Sequence, residues 1–375
     1  MTDLDATLLR TLAEWETAGA PITSAYLNVD GRRLPRKSDY EVRLDELLRR
    51  ARSASEPLGR EAARSVEHDV LAMSGYVREE FDRGDTRGLA MFSCHEAGLW
   101  EVVSVPRPLR DRIGVAPSVD LLPLEALLET YRPTCAVLVD HVGARLFVVD
   151  MARIREVSEV WDEVPGRHDQ GGWSQMRMQR HVDDHRARHL KRVSDALFAA
   201  WRSHAFEHLV LAGPAEAHGT LEGMLHDYLR QRVRARLSLP MTATADEVLR
   251  RVLAVEEDLE RDEERRAVER LERATGANDH GVSGLPDTLE ALAADRVGEL
   301  VVAFDLSMPG GECGSCGRLA VGAGSCPSCG AAMTEVPDVV EMAVARAFRQ
   351  GCRVETVVHA NGLHALGDIG AILRF

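Results

Sequence analysis

Two stretches of the chain hold residue types able to do chemistry. The first, ECGSCGRLAVGAGSCPSCGAAM, carries Cys313, Cys316, Cys326 and Cys329 as two CxxC pairs with nine residues between them. Four soft thiolates suit a tetrahedral zinc ion, and a closed four-cysteine set leaves no open position for catalysis, so the expected role is structural Zn(2+). Gly317 and Gly330 follow the two pairs and let the backbone wrap the metal and point amides at the sulfurs. A redox pair and an empty knuckle are the competing readings. The second stretch, GRHDQGGWSQMRMQRHVDDH from Gly166 to His185, sets Gly171, Gly172 and Trp173 before a basic helix. Between Gly166 and Arg202 there are eight Arg or Lys against four Asp, with four His besides. Arg167, Arg177, Arg180, Arg188 and Arg192 are candidate RNA-binding residues, because guanidinium pairs with phosphate in bidentate fashion. The bland alternative is a solvated charged face. Ser174 reads as the helix N-cap, which puts the loop at the positive end of the dipole. His181, His185 and His189 recur at i, i+4 and i+8, and His168 with Asp169 could pair as acid and base. Neither forms a recognised metal or catalytic motif.

The elements that must hold these stretches follow from periodicity. Residues 1-133 read as mixed α and β: ITSAYLNVD as a strand, YEVRLDELLRRARSA and ARSVEHDVLAMSGYVREEF as helices, RGLAMFSC and LWEVVSVP as a strand pair around HEAG. Residues 134-243 open with CAVLVDHVGARLFVVD, a hairpin. There follow a helix from about Ser174 to Ser203, the buried strand FEHLVLAGP and a helix over LEGMLHDYLRQRVRARL. In the long helix Met178, Val182, Leu190, Val193, Leu197 and Trp201 fall on a core face, with Arg177, Arg180, Arg188 and Arg192 largely away from it. Residues 244-375 start with a helix carrying an apolar stripe at Val248, Val252, Val255 and Leu259 and a solvated charge ladder beyond it. The strands VGELVVAFDLS and RVETVVHA, the helix DVVEMAVARAFRQGC and a cysteine insert at about 310-332 complete the block. The expected class is a multidomain α/β protein: a divergent α+β N-terminal domain, a layered α/β middle domain, and an α/β C-terminal domain bearing a zinc knuckle.

Length, at 375 residues, suits two or three such domains. Hydrophobic residues make up 45% and charged residues 28%, which fits a globular protein; no apolar run reaches the roughly 20 residues of a spanning helix. A net charge of −14 excludes a protein that coats nucleic acid over its whole surface, although a local basic face is still open to it. The N-terminus lacks a signal-peptide pattern, so the expected location is cytoplasmic, where Cys94, Cys135 and Cys352 would be buried thiols.

GGWSQMRMQRH resembles the GGQ-loop region of the archaeal and eukaryotic class-1 peptide release factors, in which Gly-Gly-Gln-Ser precedes an Arg-containing helix. Gly171, Gly172, Ser174, Arg177 and Arg180 match, and Trp173 replaces the glutamine. GVSGLPDTLEALAADRVGELVVAFDLS is similar to the start of those factors' C-terminal domain, a CxxC…CxxC insert occurs in archaeal members, and GLHALGDIGAILRF resembles their tail. The likeness covers about Thr134 to Phe375 and points to the bacterial branch, which includes Vms-like peptidyl-tRNA hydrolases and Balon-like hibernation factors. It implies a middle domain of RNase H-like topology and entry into the ribosomal A site. The loop would approach large-subunit RNA and the P-site tRNA, and an elongation-type GTPase would be a possible partner.

The activity so implied is rescue of stalled ribosomes by hydrolysis of the peptidyl-tRNA ester, with Gly171, Gly172, Trp173, Ser174 and Gln175 at the catalytic position. Trp173 keeps a backbone N–H but brings an indole with a donor and no acceptor. Gln175 is the residue able to stand in for the lost amide. A second reading is a catalytically silent hibernation or protection factor whose Trp173 stacks in the peptidyl transferase centre. A third is a zinc-stabilised binding module without a ribosomal role. No NIKS-type codon-reading motif occurs in the first block, which favours binding independent of the codon.

Overall fold

The computed structural model describes residues 4–15, 17, 19–161, 174–276, 280–322, 324–358 and 361–374. The chain divides into two compact units, Met1–Glu256 and Glu257–Phe375. It is a multidomain α/β protein built on one device used three times: a sheet whose central strands feed alternate side chains into cores on opposite faces. That alternation is the two-residue period of extended chain.

The first sheet has the order β3-β2-β1-β4 and is antiparallel throughout. Its parts in chain order are α1 (Ala6–Ala13), β1 (Ile22–Asn28), α2 (Lys37–Ser55), α3 (Arg60–Gly75), β2 (Gly88–Cys94), β3 (Leu99–Val105), β4 (Arg112–Ala116) and α4 (Leu122–Thr130). From β1, Ala25 and Leu27 join Leu44 and Leu47 of α2 and Val66 and Val70 of α3. Ile22 and Tyr26 join Leu9 and Leu12 of α1 and Leu124 of α4 on the other face. Every residue of β1 is therefore buried, as in a strand covered on both faces. Asp69 of α3 ties the helix to the sheet: Thr23 Oγ1 donates to it at 2.9 Å, Ser93 Oγ at 2.7 Å and the His95 N–H at 2.8 Å. Burial nonetheless pushes its carboxyl above the usual range.

The second sheet takes β5 (Thr134–Val139), β6 (Gly143–Asp150), β7 (Arg153–Trp161), β8 (His208–Ala212) and β9 (Val233–Leu237), in the order β7-β6-β5-β8-β9. β5, β6 and β7 are antiparallel neighbours, and β8 and β9 are added in parallel. This is the order and strand direction of the RNase H-like sheet. Between β7 and β8 runs α5 (Ser174–His204), and between β8 and β9 lie α6 (Ala215–Met224) and α7 (Asp227–Arg230). Cys135, Val137 and Val139 of β5 pack with Leu190, Val193 and Leu197 of α5, while Ala136 and Leu138 face Val248 and Val252 of α8 (Ala245–Gly276). Gly213 closes β8 with φ +130°, and a Cβ there would lie 2.0 Å from the Val139 carbonyl oxygen, so only glycine fits.

Two expectations from the sequence fail here. The single helix over LEGMLHDYLRQRVRARL is instead two short helices and a strand. Val233, Ala235 and Leu237 alternate with Arg234 and Arg236, and that two-residue period, placed at a sheet edge, overrides helix propensity. β4 and β7, for which no strand was read, complete the edges of their sheets.

The second unit has the sheet order β10-β16-β11-β15, from β10 (Gly281–Ser283), β11 (Val297–Ala303), β15 (Arg353–Val357) and β16 (Ile369–Leu373). α9 (Leu285–Ala293) and α10 (Val339–Arg349) cover one face through Leu289, Leu292, Val340 and Ala343, meeting Leu300 and Val302. On the other face Val301 meets Ala267, Val268 and Leu271 of α8. The far part of α8 is therefore not the solvated ladder its charge suggested: three apolar residues at helical spacing among the charges suffice to bury one side. Between β11 and α10 the three-stranded sheet β13-β12-β14 carries the cysteines, from β12 (Gly310–Cys313), β13 (Leu319–Val321) and β14 (Met333–Val336). Among the described residues no helix is long and apolar enough to cross a membrane.

Candidate functional site

The cysteine cluster is assembled almost wholly by local geometry. Cys313 closes β12, and the chain turns back so that the Gly317 N–H donates to the Cys313 carbonyl at 2.7 Å. Gly330 repeats the move, its N–H donating to the Cys326 carbonyl at 2.9 Å. Both glycines hold positive φ, +70° and +74°, which is the conformation the turn requires. An Ala332–Ser325 bridge closes the second turn. The cluster is fixed to its unit by Leu319, which is buried in the core, and by Arg346 of α10, which donates to the Gly317 carbonyl.

All four cysteines thereby converge. Their sulfurs lie within 4.8 Å of one another, with Cys313 and Cys329 at 3.4 Å, Cys316 and Cys326 at 3.5 Å, and Cys316 and Cys329 at 3.6 Å. A tetrahedral ion with metal–sulfur bonds of about 2.3 Å needs sulfurs about 3.8 Å apart, close to these separations. The electrostatics favour thiolates. Backbone N–H groups of Cys329 and Ser328 pull the Cys326 thiol down to about 6, and those of Cys316 and Ser315 lower Cys313. At Cys316 the Arg318 N–H also pulls down, but hydrogen bonding to Cys313 and Cys326 outweighs it and pushes the thiol up to about 12. Four sulfurs crowded this closely are short of positive charge, and a divalent cation supplies it. The cluster can hold a metal ion; it is the one group of that kind among the described residues. Cys94, Cys135 and Cys352 are buried thiols, and burial raises Cys135 in particular.

The basic helix is placed as the sequence suggested, and longer by one residue. α5 runs Ser174–His204, so Ser174 is its first residue and not the residue before it. Leu190, Val193 and Leu197 are buried and Trp201 packs beside them, whereas Arg188 and Arg192 are exposed on the opposite side. Arg188 Nε donates to the Asp184 carbonyl at 3.2 Å, which lays that side chain along the helix. His189 is buried, so the histidine row does not form a solvent-facing set of ligands. Arg167, His168, Asp169, Gly171, Gly172 and Trp173 lie outside the described residues, as do the side chains of Ser174, Gln175, Arg177, Met178, Arg180, His181 and Val182.

The sequence is similar to known proteins. Residues 120–257, which contain both the loop and α5, match the model of the bacterial archaeo-eukaryotic release factor family 10. The chain is 25% identical over 407 positions to peptide chain release factor subunit 1 of Methanocaldococcus jannaschii, covering 98% of this chain and 96% of that one. Among solved structures it is similar to an archaeal translation termination factor, at 17% identity with 99% and 97% of the two chains covered and a TM-score of 0.26. It is also similar to Pelota of Archaeoglobus fulgidus, at 16% identity, 79% and 82% coverage and a TM-score of 0.37. Residues 120–257 are thus similar to the bacterial archaeo-eukaryotic release factors, and the chain over nearly its whole length to an archaeal peptide chain release factor subunit 1.

Proposed function

We propose that this chain is a ribosome-associated, release-factor-like protein that enters the A site of stalled ribosomes and hydrolyses the peptidyl-tRNA ester. The observation that carries the reading is positional. Gly171 and Gly172 lie inside the family-matched segment, directly ahead of a 31-residue helix that begins at Ser174. Two residues without Cβ atoms let backbone approach a nucleotide closely. The first-turn N–H groups of the helix add positive potential where an ester's oxyanion would develop. Catalysis of this kind orients a water and stabilises charge, without a covalent intermediate. In this reading Gly171 and Gly172 give access, the Trp173 and Ser174 backbone donates, and Gln175 orients the water. Arg167, Arg177, Arg180, Arg188 and Arg192 engage phosphates of large-subunit RNA and the P-site tRNA.

The four-cysteine cluster binds zinc in this proposal. When bound, the ion would neutralise the thiolates and lock the β12–β14 sheet; with all four positions filled by Cys313, Cys316, Cys326 and Cys329 it takes no part in chemistry. The functional domains are 1-133, 134-243 and 244-375, the protein acts in the cytoplasm, and an elongation-type GTPase is a candidate delivery partner.

Trp173 supports a second reading, a hibernation or protection factor. An indole at the glutamine's position cannot accept a hydrogen bond from water but can stack on a base. A release assay on ribosomes carrying peptidyl-tRNA separates the two. Under the hydrolase reading the wild type releases peptide and the Gly171→Ala/Gly172→Ala variant does not. Under the second reading the wild type binds and releases nothing, while Trp173→Gln gains activity.

A further inference from the structure

The molecule's most unusual surface lies at the other end of α5 from the Gly-Gly loop. Trp201 is 27 residues beyond Ser174, which at about 1.5 Å per residue separates the two by about 40 Å. There Trp201 and Tyr228 stack with ring centres 5.8 Å apart and planes 14° apart, and Tyr228 and His226 continue the stack at 5.0 Å and 5°. The Arg232 guanidinium lies 4.9 Å over the Trp201 ring, and its Nη1 donates to the Tyr228 carbonyl at 2.6 Å, so one cation braces two members of the ladder. Despite these partners Tyr228 is 56% exposed.

The chain's core aromatics are arranged differently. Tyr26 meets Phe92 at 80° and Tyr40 meets Phe81 at 77°, the edge-to-face contacts that fill space in an interior. Phe198 packs tilted against Trp201 and His226 at 5.6 and 5.1 Å, while His226 and Tyr228 stay exposed, and an exposed aromatic ring is what a nucleobase stacks on. The charge around the ladder points the same way. Arg230, Arg232, Arg234 and Arg236 recur at every second position where the chain enters β9, at the edge of the sheet, in a protein of net charge −14. Arg230 pairs with Asp227 and Arg236 with Glu222. Arg234 meets no carboxylate among the described residues; its Nη1 donates to the Gln231 carbonyl at 2.7 Å, and the side chain is exposed. A guanidinium held beside a stacking surface suits a phosphate neighbouring the stacked base.

We propose that Trp201, Tyr228 and His226, braced by Arg232 and flanked by Arg230 and Arg234, form a platform that stacks one unpaired base of single-stranded RNA and binds the phosphate beside it. The platform is independent of the reading given to the Gly-Gly loop, since none of its residues lies within 20 positions of Trp173. Because the rings are already stacked and braced, little side-chain freedom is lost when a base is added.

Fluorescence anisotropy of a labelled decamer of uridylate, titrated with the full chain, tests it. Tyr228→Ala should weaken binding about 10-fold or more, and Tyr228→Phe should keep it within about twofold. Arg234→Ala should weaken binding and flatten the log–log salt dependence by about 0.7. A duplex of equal length should bind more weakly than the single strand, because its bases are already stacked. The proposal is overturned if the decamer does not bind at low salt, or if Tyr228→Ala and Arg234→Ala both bind it as the wild type does. It also fails if the duplex binds as tightly, or if Tyr228→Ala abolishes capture of a protein partner while leaving decamer affinity unchanged.

Discussion

The cysteine cluster and the basic helix are built on opposite principles. At the cluster everything that matters is internal. Two CxxC turns, two glycines at positive φ and four sulfurs within 4.8 Å define the chemistry with no outside partner except an ion. At α5 the protein supplies only a scaffold. Leu190, Val193 and Leu197 bolt one side of the helix to the sheet and leave Arg188 and Arg192 exposed on the other. The first site can be recognised from donor chemistry alone. The second would take its meaning from a binding partner.

The contrast can be broken most decisively at the metal. Cys316→Ser/Cys329→Ser, or a strong chelator, should remove one zinc per chain and unfold the β12–β14 region, the binding free energy of such sites being about 10 kcal/mol. Metal analysis and thermal melting check this, and melting that is indifferent to both treatments would remove the cluster's structural role. Gly171→Ala/Gly172→Ala should leave that melting curve unchanged. Next in size, Leu197→Ala, at a fully buried position beneath the basic face, should cost roughly 2–5 kcal/mol in denaturant unfolding of the first unit. Smallest in stability, Arg188→Ala/Arg192→Ala should stay within about 0.5 kcal/mol of the wild type. The same pair should nevertheless weaken ribosome co-sedimentation and reduce its salt dependence. Loss of stability without loss of binding would make these arginines part of the fold and not of an interface.

Legibility in the sequence followed the same division. The cysteine cluster was readable because ligand spacing is a local property, and the span of α5 because its apolar positions keep a 3.6-residue period. The hairpin of β5 and β6 was readable from two apolar runs around a short turn. What escaped was set by neighbours distant in the chain. β9 looks helical until β8 pairs with it in parallel; β4 is only five residues long, and β7 sets Arg155, Glu156 and Glu159 among its apolar positions, so neither declares itself as an edge strand. Ala267, Val268 and Leu271 are hidden among charges, and only the sheet they cover reveals them as core. Trp201 was readable as a packing residue, but its stack with Tyr228 was not, since 27 positions separate the two.

In the proposed function the Gly-Gly loop ahead of α5 acts on the peptidyl-tRNA ester. Peptide release from stalled ribosomes, measured with saturating wild type, Gly171→Ala/Gly172→Ala, Trp173→Gln and Gln175→Ala, addresses it most directly. The wild type should release peptide, the double glycine variant should not, and Gln175→Ala should release far less. No release by the wild type above background would contradict it, and a gain of release in Trp173→Gln would then identify the chain as a silent occupant.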